Sequence, residues 1–269
     1  MSLNQRQKEI VELAKIEGFV SIESLATRFQ VTTQTIRRDI NALCDMSLLR
    51  RYHGGAGAPT TAENLPYDRR RKMAQEEKSK IAKLVANHIP NKASLFIDVG
   101  TTCEEIARAL MDHHGLRIVT NNLHVAQLMA YRADFEVIIT GGVVRSRDRA
   151  VVGEAAIDFI GQFHVDFGLL GISAIGEDGS LRDFDYRKVK VSQAIMANSK
   201  SIFLAADQSK FSRDAMVRSG SLGDIDALFI CGGMPADLKT LCQRKNVQIY
   251  DADQASDFHD RNHTNIHEA

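Results

Sequence analysis

The stretch V-T-T-Q-T-I-R-R-D at residues 31–39 decides the fold of the N-terminal part of the chain. If Thr32 is the N-cap of a helix, Val31 precedes the cap and Ile36 takes the fourth helical position, where a hydrophobic staple forms. At helical spacing, one face is apolar and holds Ile36, Ile40 and Leu43. The opposite face is polar and holds Thr33, Gln34, Arg37, Arg38 and Asn41. The pattern therefore predicts a helix that packs on one side and faces outward on the other.

A second capped helix precedes this one. Ser21 is its predicted N-cap, with Val20 and Leu25 as the staple, and upstream apolar residues predict a first amphipathic helix ending near Gly18. After the pair, residues 48–53 form a short, basic, partly apolar segment that ends in Gly54, which indicates a strand and a turn. Three helices followed by a basic ribbon predict a winged helix-turn-helix, whose second paired helix enters the major groove.

The outward face has the chemistry for reading DNA. Amides suit adenine edges, guanidinium groups suit guanine or phosphate, and a helix N-terminus favours anions. An ordinary solvated helix face has a similar composition, but the neighbouring capped helix and basic ribbon favour DNA binding. The formal net charge is zero, yet residues 25–53 carry a local surplus of arginine, as phosphate contact requires. The predicted DNA contacts are Thr33, Gln34, Thr35, Arg37, Arg38, Asn41, Arg50 and Arg51.

Length and composition allow one small and one larger domain in a soluble globular chain of 269 residues, 44% of them hydrophobic. We expect a DNA-binding domain at residues 1–56, a Pro- and Gly-containing linker at 57–67, an α/β domain at 68–251 and a disordered tail at 252–269. The basic run at 68–72 is either a DNA-backbone contact or a solvated helical turn. The tail contains His259, His263 and His267, whose spacing of four also allows a metal-binding helix face.

The four scattered cysteines form no C-x-x-C pair, so no disulfide framework, structural metal or cofactor is expected. The chain shows no signal-peptide pattern and no apolar window long enough to span a membrane. We therefore expect a cytoplasmic protein.

Short apolar runs alternate with amphipathic segments after residue 91, as in a mostly parallel sheet covered by helices. The strand candidates are 94–98, 117–120, 136–140, 166–171, 201–206, 227–231 and 247–250. The helix candidates are 81–90, 102–112, 123–131, 151–163, 187–198 and 236–244. Because ligands of such folds lie beyond the carboxyl ends of the strands, the residues that follow each strand are the candidate site.

Polar residues follow four of these strands. Asp98, Gly100, Thr101 and Thr102 form a strand-to-helix turn in which a glycine allows close approach and the helix N-terminus attracts phosphate. An ordinary tight turn with a Thr cap explains this motif about equally well. Three more strand ends and one loop add Asn121, Gly141, Gly142, Arg145 and Lys210, of which Lys210 offers a positive charge to phosphate.

These motifs together resemble the DeoR family of bacterial transcriptional regulators over almost the whole chain. The motifs that carry the resemblance are T-I-R-R-D-I at 35–40, L-R-R-Y-H-G-G-A at 49–56, F-I-D-V-G-T-T at 96–102, I-V-T-N-N-L at 118–123, T-G-G at 140–142, F-D-Y at 184–186 and D-Q-S-K-F at 207–211. The resemblance implies a Rossmann-like sensor domain similar in fold to sugar-phosphate isomerases. By motif match it also implies that the strand-end residues bind a phosphorylated effector, and it adds Asp185 to them.

Within the family, R-S-R-D at 145–148, G-I-S at 171–173 and A-M-V at 215–217 resemble the members that respond to glycerol 3-phosphate. The chain is therefore expected to be a repressor that binds operator DNA as a dimer or tetramer and is released by glycerol 3-phosphate. Another sugar phosphate, or activation in place of repression, remains an alternative. A phosphosugar isomerase is a further alternative because Asp98, Asp185 and Asp207 are carboxylates that could act as a base.

Overall fold

The N-terminal part of the chain is a winged helix-turn-helix, as the sequence predicts. In the computed structural model, residues 3–17, 19–46, 48–52, 54–57 and 67–254 are described. The N-terminal elements are α1 (Gln5–Glu17), β1 (Phe19–Ser21), α2 (Ile22–Phe29), α3 (Thr33–Asp45), β2 (Arg50–Tyr52) and β3 (Gly55–Gly57). Gly18, the predicted end of α1, lies outside the described residues.

Both predicted N-caps are present. The Thr32 hydroxyl accepts a hydrogen bond from the backbone N–H of Thr35 at 3.2 Å, and the Ser21 hydroxyl accepts one from Ser24 at 3.0 Å. The apolar faces of the three helices meet in one core, whose fully buried members include Ile10, Leu25, Ile36, Ile40 and Leu43. Because the caps determine where α2 and α3 begin, they also determine which face of α3 is left for solvent.

The wing is a three-stranded antiparallel sheet in the order β1-β3-β2, larger than the single ribbon that the sequence predicts. The strand β1 is only three residues long and leads directly into the cap of α2. It is too short to show in the sequence the alternation of apolar and polar residues that indicates a strand. Gly54 has a φ of +76°, and a Cβ on Gly55 would collide with the Val20 carbonyl. The glycine pair is therefore required by the tight approach of β3 to β1.

The C-terminal α/β domain begins with α4 (Tyr67–Lys72) and α5 (Gln75–Ala86). The strands of the main sheet are β4 (Ser94–Ile97), β5 (Arg117–Thr120), β6 (Glu136–Ile139), β9 (Val165–Gly171), β12 (Ser199–Asp207), β14 (Ala227–Cys231) and β15 (Gln248–Asp251). The other strands are β7 (Val143–Arg145), β8 (Ala150–Val152), β10 (Ala174–Ile175), β11 (Ser180–Asp183) and β13 (Val217–Ser221). The remaining helices are α6 (Thr101–Ala109), α7 (Leu123–Met129), α8 (Glu154–Ile160), α9 (Tyr186–Ala197) and α10 (Ala236–Arg244), with 3-10 turns at Leu110–Asp112, Gln208–Ser212 and Leu222–Asp224.

Seven strands form one parallel sheet in the order β15-β14-β12-β9-β4-β5-β6. Neighbouring residues of β4 point to opposite faces, so Ile97 packs in the core on one side of the sheet and Phe96 in the core on the other. Helices cover both faces, as in other sheets that are wholly parallel. The predicted α/β class is confirmed, and the carboxyl ends of the strands form one edge.

One helix prediction is wrong at its start. The segment 151–163 is not helical throughout, because Ala150–Val152 form β8, which pairs with β7, and α8 begins only at Glu154. Gly153 separates the two elements with a φ of +109°, and the β-branched Val151 and Val152 favour a strand. Antiparallel pairing of β10, β11 and β13 is a further addition that the alternation pattern does not predict.

At the predicted linker, Gly57 belongs to β3 and Tyr67 to α4, while residues 58–66 lie outside the described part of the chain. Residues 255–269, with His259, His263 and His267, lie outside it as well, so neither interpretation of the tail is tested. None of the helices in the described ranges is both long and apolar enough to cross a membrane.

Candidate DNA-reading surface and strand-end cavity

The polar face of α3 is exposed. Thr33, Gln34, Arg37, Arg38 and Asn41 face solvent, and Thr35 is half-buried because its hydroxyl contacts that of Thr32 at 3.0 Å. On the wing, Arg51 is exposed, whereas the side chain of Arg50 is not described. The Arg51 guanidinium donates to the Asn41 side-chain oxygen at 2.7 Å, so the wing and α3 present one continuous polar surface.

Of the two acidic residues of α3, Asp39 points away from this surface and Asp45 is the last residue of the helix. Asp39 is buried and accepts hydrogen bonds from Arg6 Nε at 2.6 Å and Gln7 Nε2 at 3.1 Å. The ion pair neutralises Asp39 and ties α1 to α3. Because Asp39 is buried and paired with Arg6, it does not lie on the exposed face beside Arg37 and Arg38, whose positive charge suits contact with phosphate.

A cavity lies beyond the carboxyl ends of β4, β9 and β12, at the edge where ligands of such folds bind. We call it the strand-end cavity. Its lining residues are Arg70, Val99, Gly100, Thr101, Thr102, Asp148, Gly171, Ile172, Ser173, Asp183, Lys188, Lys210 and Arg213.

One wall of the cavity is the N-terminus of α6. Gly100 is the N-cap residue, with φ 150° and ψ 152°, a conformation that is almost restricted to glycine. No side chain caps this helix, so its first backbone N–H groups face the cavity with the positive end of the helix dipole. Thr101 and Thr102 add hydroxyl groups at the same place. This wall can therefore bind an anionic group such as phosphate.

Three cationic side chains form the second wall. Lys210 lies in the 3-10 turn after β12, Arg70 comes from α4, and Arg213 follows the turn. Lys210 Nζ lies 3.4 Å from the buried carboxylate of Asp207. Burial opposes the charge on both groups, and the neighbouring cation Arg213 adds to this for Lys210, whose pKa falls to about 7. Asp207 keeps a pKa of about 2 in spite of its burial, because it lies among cations.

Lys78 holds the second wall in place from behind. Its buried ammonium group donates to the backbone carbonyls of Arg70 and, at 2.6 Å, of Met73. Arg213 contacts the Met73 sulfur at 3.5 Å. The end of α4 is thereby fixed to α5 and to the segment that follows β12, which places the Arg70 side chain in the cavity.

A network of acidic and hydroxyl groups forms the third wall. Asp183 accepts from Lys188 Nζ at 2.7 Å and from the Ser173 hydroxyl at 2.9 Å. Burial raises the pKa of Asp183, but the adjacent Lys188 outweighs it and keeps the carboxylate ionised. Asp98 lies beneath the cavity, where it accepts from Ser192 at 2.7 Å and lies 3.9 Å from Lys188. These acceptors suit the hydroxyl groups of a polyol.

Of the ten effector residues predicted from the sequence, Gly100, Thr101, Thr102 and Lys210 line the cavity and Asp98 lies directly under it. Gly141 and Gly142 do not reach it. Both are exposed at the start of the β7–β8 hairpin, and a Cβ on Gly142 would come within 2.9 Å of the Val152 carbonyl. Gly142 is therefore explained by the hairpin, whereas a Cβ on Gly141 would meet nothing within 4 Å.

Asp185, Arg145 and Asn121 also lie outside the cavity wall. Asp185 is the N-cap of α9 and pairs with Arg145 at 2.8 Å, while Arg145 also holds Asp148 in two hydrogen bonds of 2.8 and 2.7 Å. Arg145 thus holds the side chain of Asp148, which lines the cavity. Asn121 is fully buried, its amide nitrogen donates to the Val151 carbonyl at 3.5 Å, and its side-chain oxygen has no partner among the described residues.

Sequence reasoning missed Arg70, Ser173, Asp183, Lys188 and Arg213. Arg70 belongs to the basic run at 68–72, which had no assigned role, and the sequence contains no signal that turns this one arginine inward. Asp183 and Ser173 flank the β10–β11 hairpin, which the alternation pattern does not predict. Lys188 lies one turn after Asp185, so the F-D-Y motif is close to the cavity, which Asp183 lines and Asp185 does not.

Comparison with known proteins agrees with both parts of this architecture. The family model of the DeoR-like helix-turn-helix domain matches residues 6–62, and that of the DeoR C terminal sensor domain matches residues 73–230. The chain is 47% identical over 249 residues to the glycerol-3-phosphate regulon repressor of Escherichia coli, covering 93% of this chain and 99% of that protein. It is 45% identical to the protein of the same name from Haemophilus influenzae (93% and 97%) and 37% identical to the E. coli transcriptional repressor CsqR (91% and 94%).

Solved structures that resemble the chain are more distant. Ribose 5-phosphate isomerase A from Neisseria gonorrhoeae has a TM-score of 0.35 at 15% identity, covering 50% of this chain and 52% of that one. The eIF2B delta subunit from Chaetomium thermophilum has a TM-score of 0.44 at 13% identity, covering 58% and 55%. At such low sequence identity and TM-score, these likenesses support no conclusion about function.

Proposed function

Because the chain belongs to the DeoR family of transcriptional regulators, we propose that it is a repressor that binds operator DNA through α3 and the wing and is released by glycerol 3-phosphate. The observation that carries the proposal is that one chain combines an exposed, arginine-bearing recognition face with a strand-end cavity whose walls are a helix N-terminus and three cations. The first part suits DNA and the second suits a small phosphorylated molecule.

The walls of the cavity support the choice of a polyol phosphate as effector. The N-terminus of α6 with Lys210 provides donors and positive charge for the phosphate, and Ser173 and Asp183 provide acceptors for hydroxyl groups. A ligand that has both kinds of group on a short carbon chain satisfies both walls. Two relatives that share at least 45% of their residues with this chain are named repressors of the glycerol-3-phosphate regulon, which supports glycerol 3-phosphate as the particular compound.

Sensing explains the cavity better than catalysis does. A phosphosugar isomerase needs a carboxylate that can take a proton from carbon. Asp207 has a pKa of about 2 and is held among cations, which makes it a weak base. Asp98 is fully buried and engaged by Ser192 and the backbone N–H of Val99, and Asp183 is engaged by Lys188. Each carboxylate at the cavity thus has a structural partner.

Repression requires that the effector favour an arrangement that binds DNA poorly, so the two affinities are linked reciprocally. We propose further that the working form is a homo-oligomer in the cytoplasm, since operators bound by helix-turn-helix proteins pair two reading heads. Light scattering of the purified chain during gel filtration tests this part.

The experiment for the main proposal is isothermal titration calorimetry of the full chain with glycerol 3-phosphate, with glycerol and other sugar phosphates as comparisons. Its partner measurement is fluorescence anisotropy with DNA from the chain's own promoter region, with and without the effector. Saturable binding of glycerol 3-phosphate together with weaker DNA binding supports the proposal. If another phosphosugar binds and glycerol 3-phosphate does not, the effector is wrong, and absence of specific DNA binding refutes the repressor function itself.

A further inference from the structure

The walls of the strand-end cavity belong to different parts of the fold. The wall formed by β4, α6 and β9 belongs to the packed centre of the sheet, whereas the wall formed by Lys210 and Arg213 lies in a short 3-10 turn and the loop after it.

The wall formed by Lys210 and Arg213 faces the DNA-binding domain on its other side. A cleft of about 900 Å³ separates the two domains there, and Arg213 lines both this cleft and the strand-end cavity. Arg51 and Tyr52 of the wing line the opposite side of the cleft. The hydroxyl oxygen of Tyr52 is buried and has no hydrogen-bond partner within the described residues. Arg213 is thus the boundary between the cavity and the wing.

The turn Gln208–Ser212 also touches the wing directly. A Cβ on Gly54 would come within 2.5 Å of Gln208 Nε2, so the wing turn lies against this side chain. Gln208 Nε2 donates to the Gly232 carbonyl at 3.2 Å, which holds it in position. Two residues further along the same turn, Lys210 lines the cavity. A shift of this turn therefore moves a cavity wall and a wing support together.

The wing is in turn connected to the recognition helix. Gly54 joins β2 to β3, and Arg51 of β2 donates to Asn41 of α3 at 2.7 Å. A change in the position of the wing relative to the sensor domain thus moves the recognition helix α3 with it.

We propose that the turn Gln208–Ser212 is the element that couples the two sites: the effector binds Lys210 and thereby shifts this turn, and the turn shifts the wing through its contact with Gly54. This inference rests on the proposed function and assigns its regulatory route. It predicts that the contact between Gln208 and Gly54 is needed for release from DNA but not for binding either ligand.

The test is the Gln208→Ala variant of the full chain, since Gln208 lines neither the cavity nor the DNA-reading surface. Operator affinity is measured with and without saturating glycerol 3-phosphate, and the ratio of the two dissociation constants is the coupling factor. Coupling factors in regulatory proteins are commonly about 5 to 150. We expect Gln208→Ala to bind operator and effector within about threefold of the wild-type chain while its coupling factor falls by at least about threefold. Gln243→Ala, the same substitution at an exposed position of α10, is the matched control and should keep the full factor.

Three outcomes decide the inference. A reduced coupling factor with both affinities retained supports it, and an unchanged factor in Gln208→Ala overturns it while leaving the proposed function intact. If the wild-type chain neither binds glycerol 3-phosphate nor responds to it, the proposed function and the inference fail together. Thermal unfolding followed by circular dichroism checks that the variant folds. Gln208→Asn, which keeps the amide but shortens its reach, applies the same criteria if the alanine variant does not fold.

Discussion

Replacement of Lys210 tests the strand-end cavity most directly. Lys210→Met removes the ammonium group and keeps a side chain of similar length, so the packing against the cavity wall changes little. A hydrogen bond to a charged group in a buried site contributes about 1.5–3 kcal/mol. The variant should therefore bind glycerol 3-phosphate roughly 10- to 150-fold more weakly than the wild-type chain.

The same residue predicts a pH dependence. Burial and the neighbouring Arg213 lower the pKa of Lys210 to about 7, and a bound phosphate dianion would raise it again. The free protein therefore loses the charge on Lys210 as the pH rises above 7, and binding must take up a proton. The affinity for the effector should fall by up to about tenfold per pH unit between pH 7 and the raised pKa of the complex. Below about pH 6, protonation of the phosphate also weakens binding.

Titration calorimetry measures both effects. In the wild-type chain at pH 8, the binding enthalpy should vary with the ionisation enthalpy of the buffer, because a proton is taken from it. Lys210→Arg keeps a permanent charge and should remove both this variation and the pH dependence above 7. An affinity that stays constant from pH 7 to 8.5 in the wild-type chain would refute the role of the lysine. So would wild-type affinity in Lys210→Met.

Three further predictions concern the rest of the chain. Arg37→Ala should weaken specific operator binding by about 5- to 150-fold and leave effector binding unchanged, as measured by anisotropy and calorimetry; equal operator affinity would remove the exposed face of α3 from its role. Thr32→Ala removes the N-cap of α3 and should lower the free energy of unfolding by about 1 kcal/mol in urea, whereas Thr32→Ser should retain most of it; equal losses would contradict capping. Burial and the nearby Asp207 raise the pKa of Glu77 from 4.5 to about 7, so its ionisation destabilises the fold as the pH rises through that range. Glu77→Gln should therefore be more stable than the wild-type chain by up to about 3 kcal/mol at pH 8 and should lose this advantage at pH 4; a constant difference would refute it.

The fold of the DNA-binding domain was predictable because the sequence features that determine it are close together in the chain. An N-cap, a staple and a helical period are all contained within residues 31–43, and the structure has Thr32 as the cap and Ile36 fully buried, as expected. The strand β1 and the inward position of Asp39 were not predictable in the same way. Asp39 is neutralised by Arg6, which is 33 residues earlier in the chain, and no local pattern contains that information.

The strand-end cavity was predictable only where local geometry and site coincide. Gly100 is required by the turn into α6 and also faces the cavity, so the motif indicated the correct place. Gly142 and Asp185 are also residue types that suit a phosphate site, but each has another structural reason. Gly142 is required by the close approach of the hairpin, and Asp185 is the N-cap of α9. Arg70 and Arg213 are 143 positions apart in the chain and meet only because α4 and the loop after β12 converge on one edge. A contact between residues so far apart in the chain produces no periodic pattern in the sequence.

The clustering of cations explains why the cavity should select phosphorylated molecules over the parent polyols. Arg70, Lys210 and Arg213 lie in one small cavity, and their mutual repulsion is one reason why the pKa of Lys210 is low. Carboxylates offset part of this charge, since Asp207 lies 3.4 Å from Lys210 and Asp148 lies 3.9 Å from Arg70. A phosphate dianion offsets the remainder and allows Lys210 to be fully protonated, whereas an uncharged polyol would occupy the same space without relieving the repulsion. The preference for phosphate thus arises from the unliganded charge distribution, and the turn that carries Lys210 is the element on which the change in charge acts first.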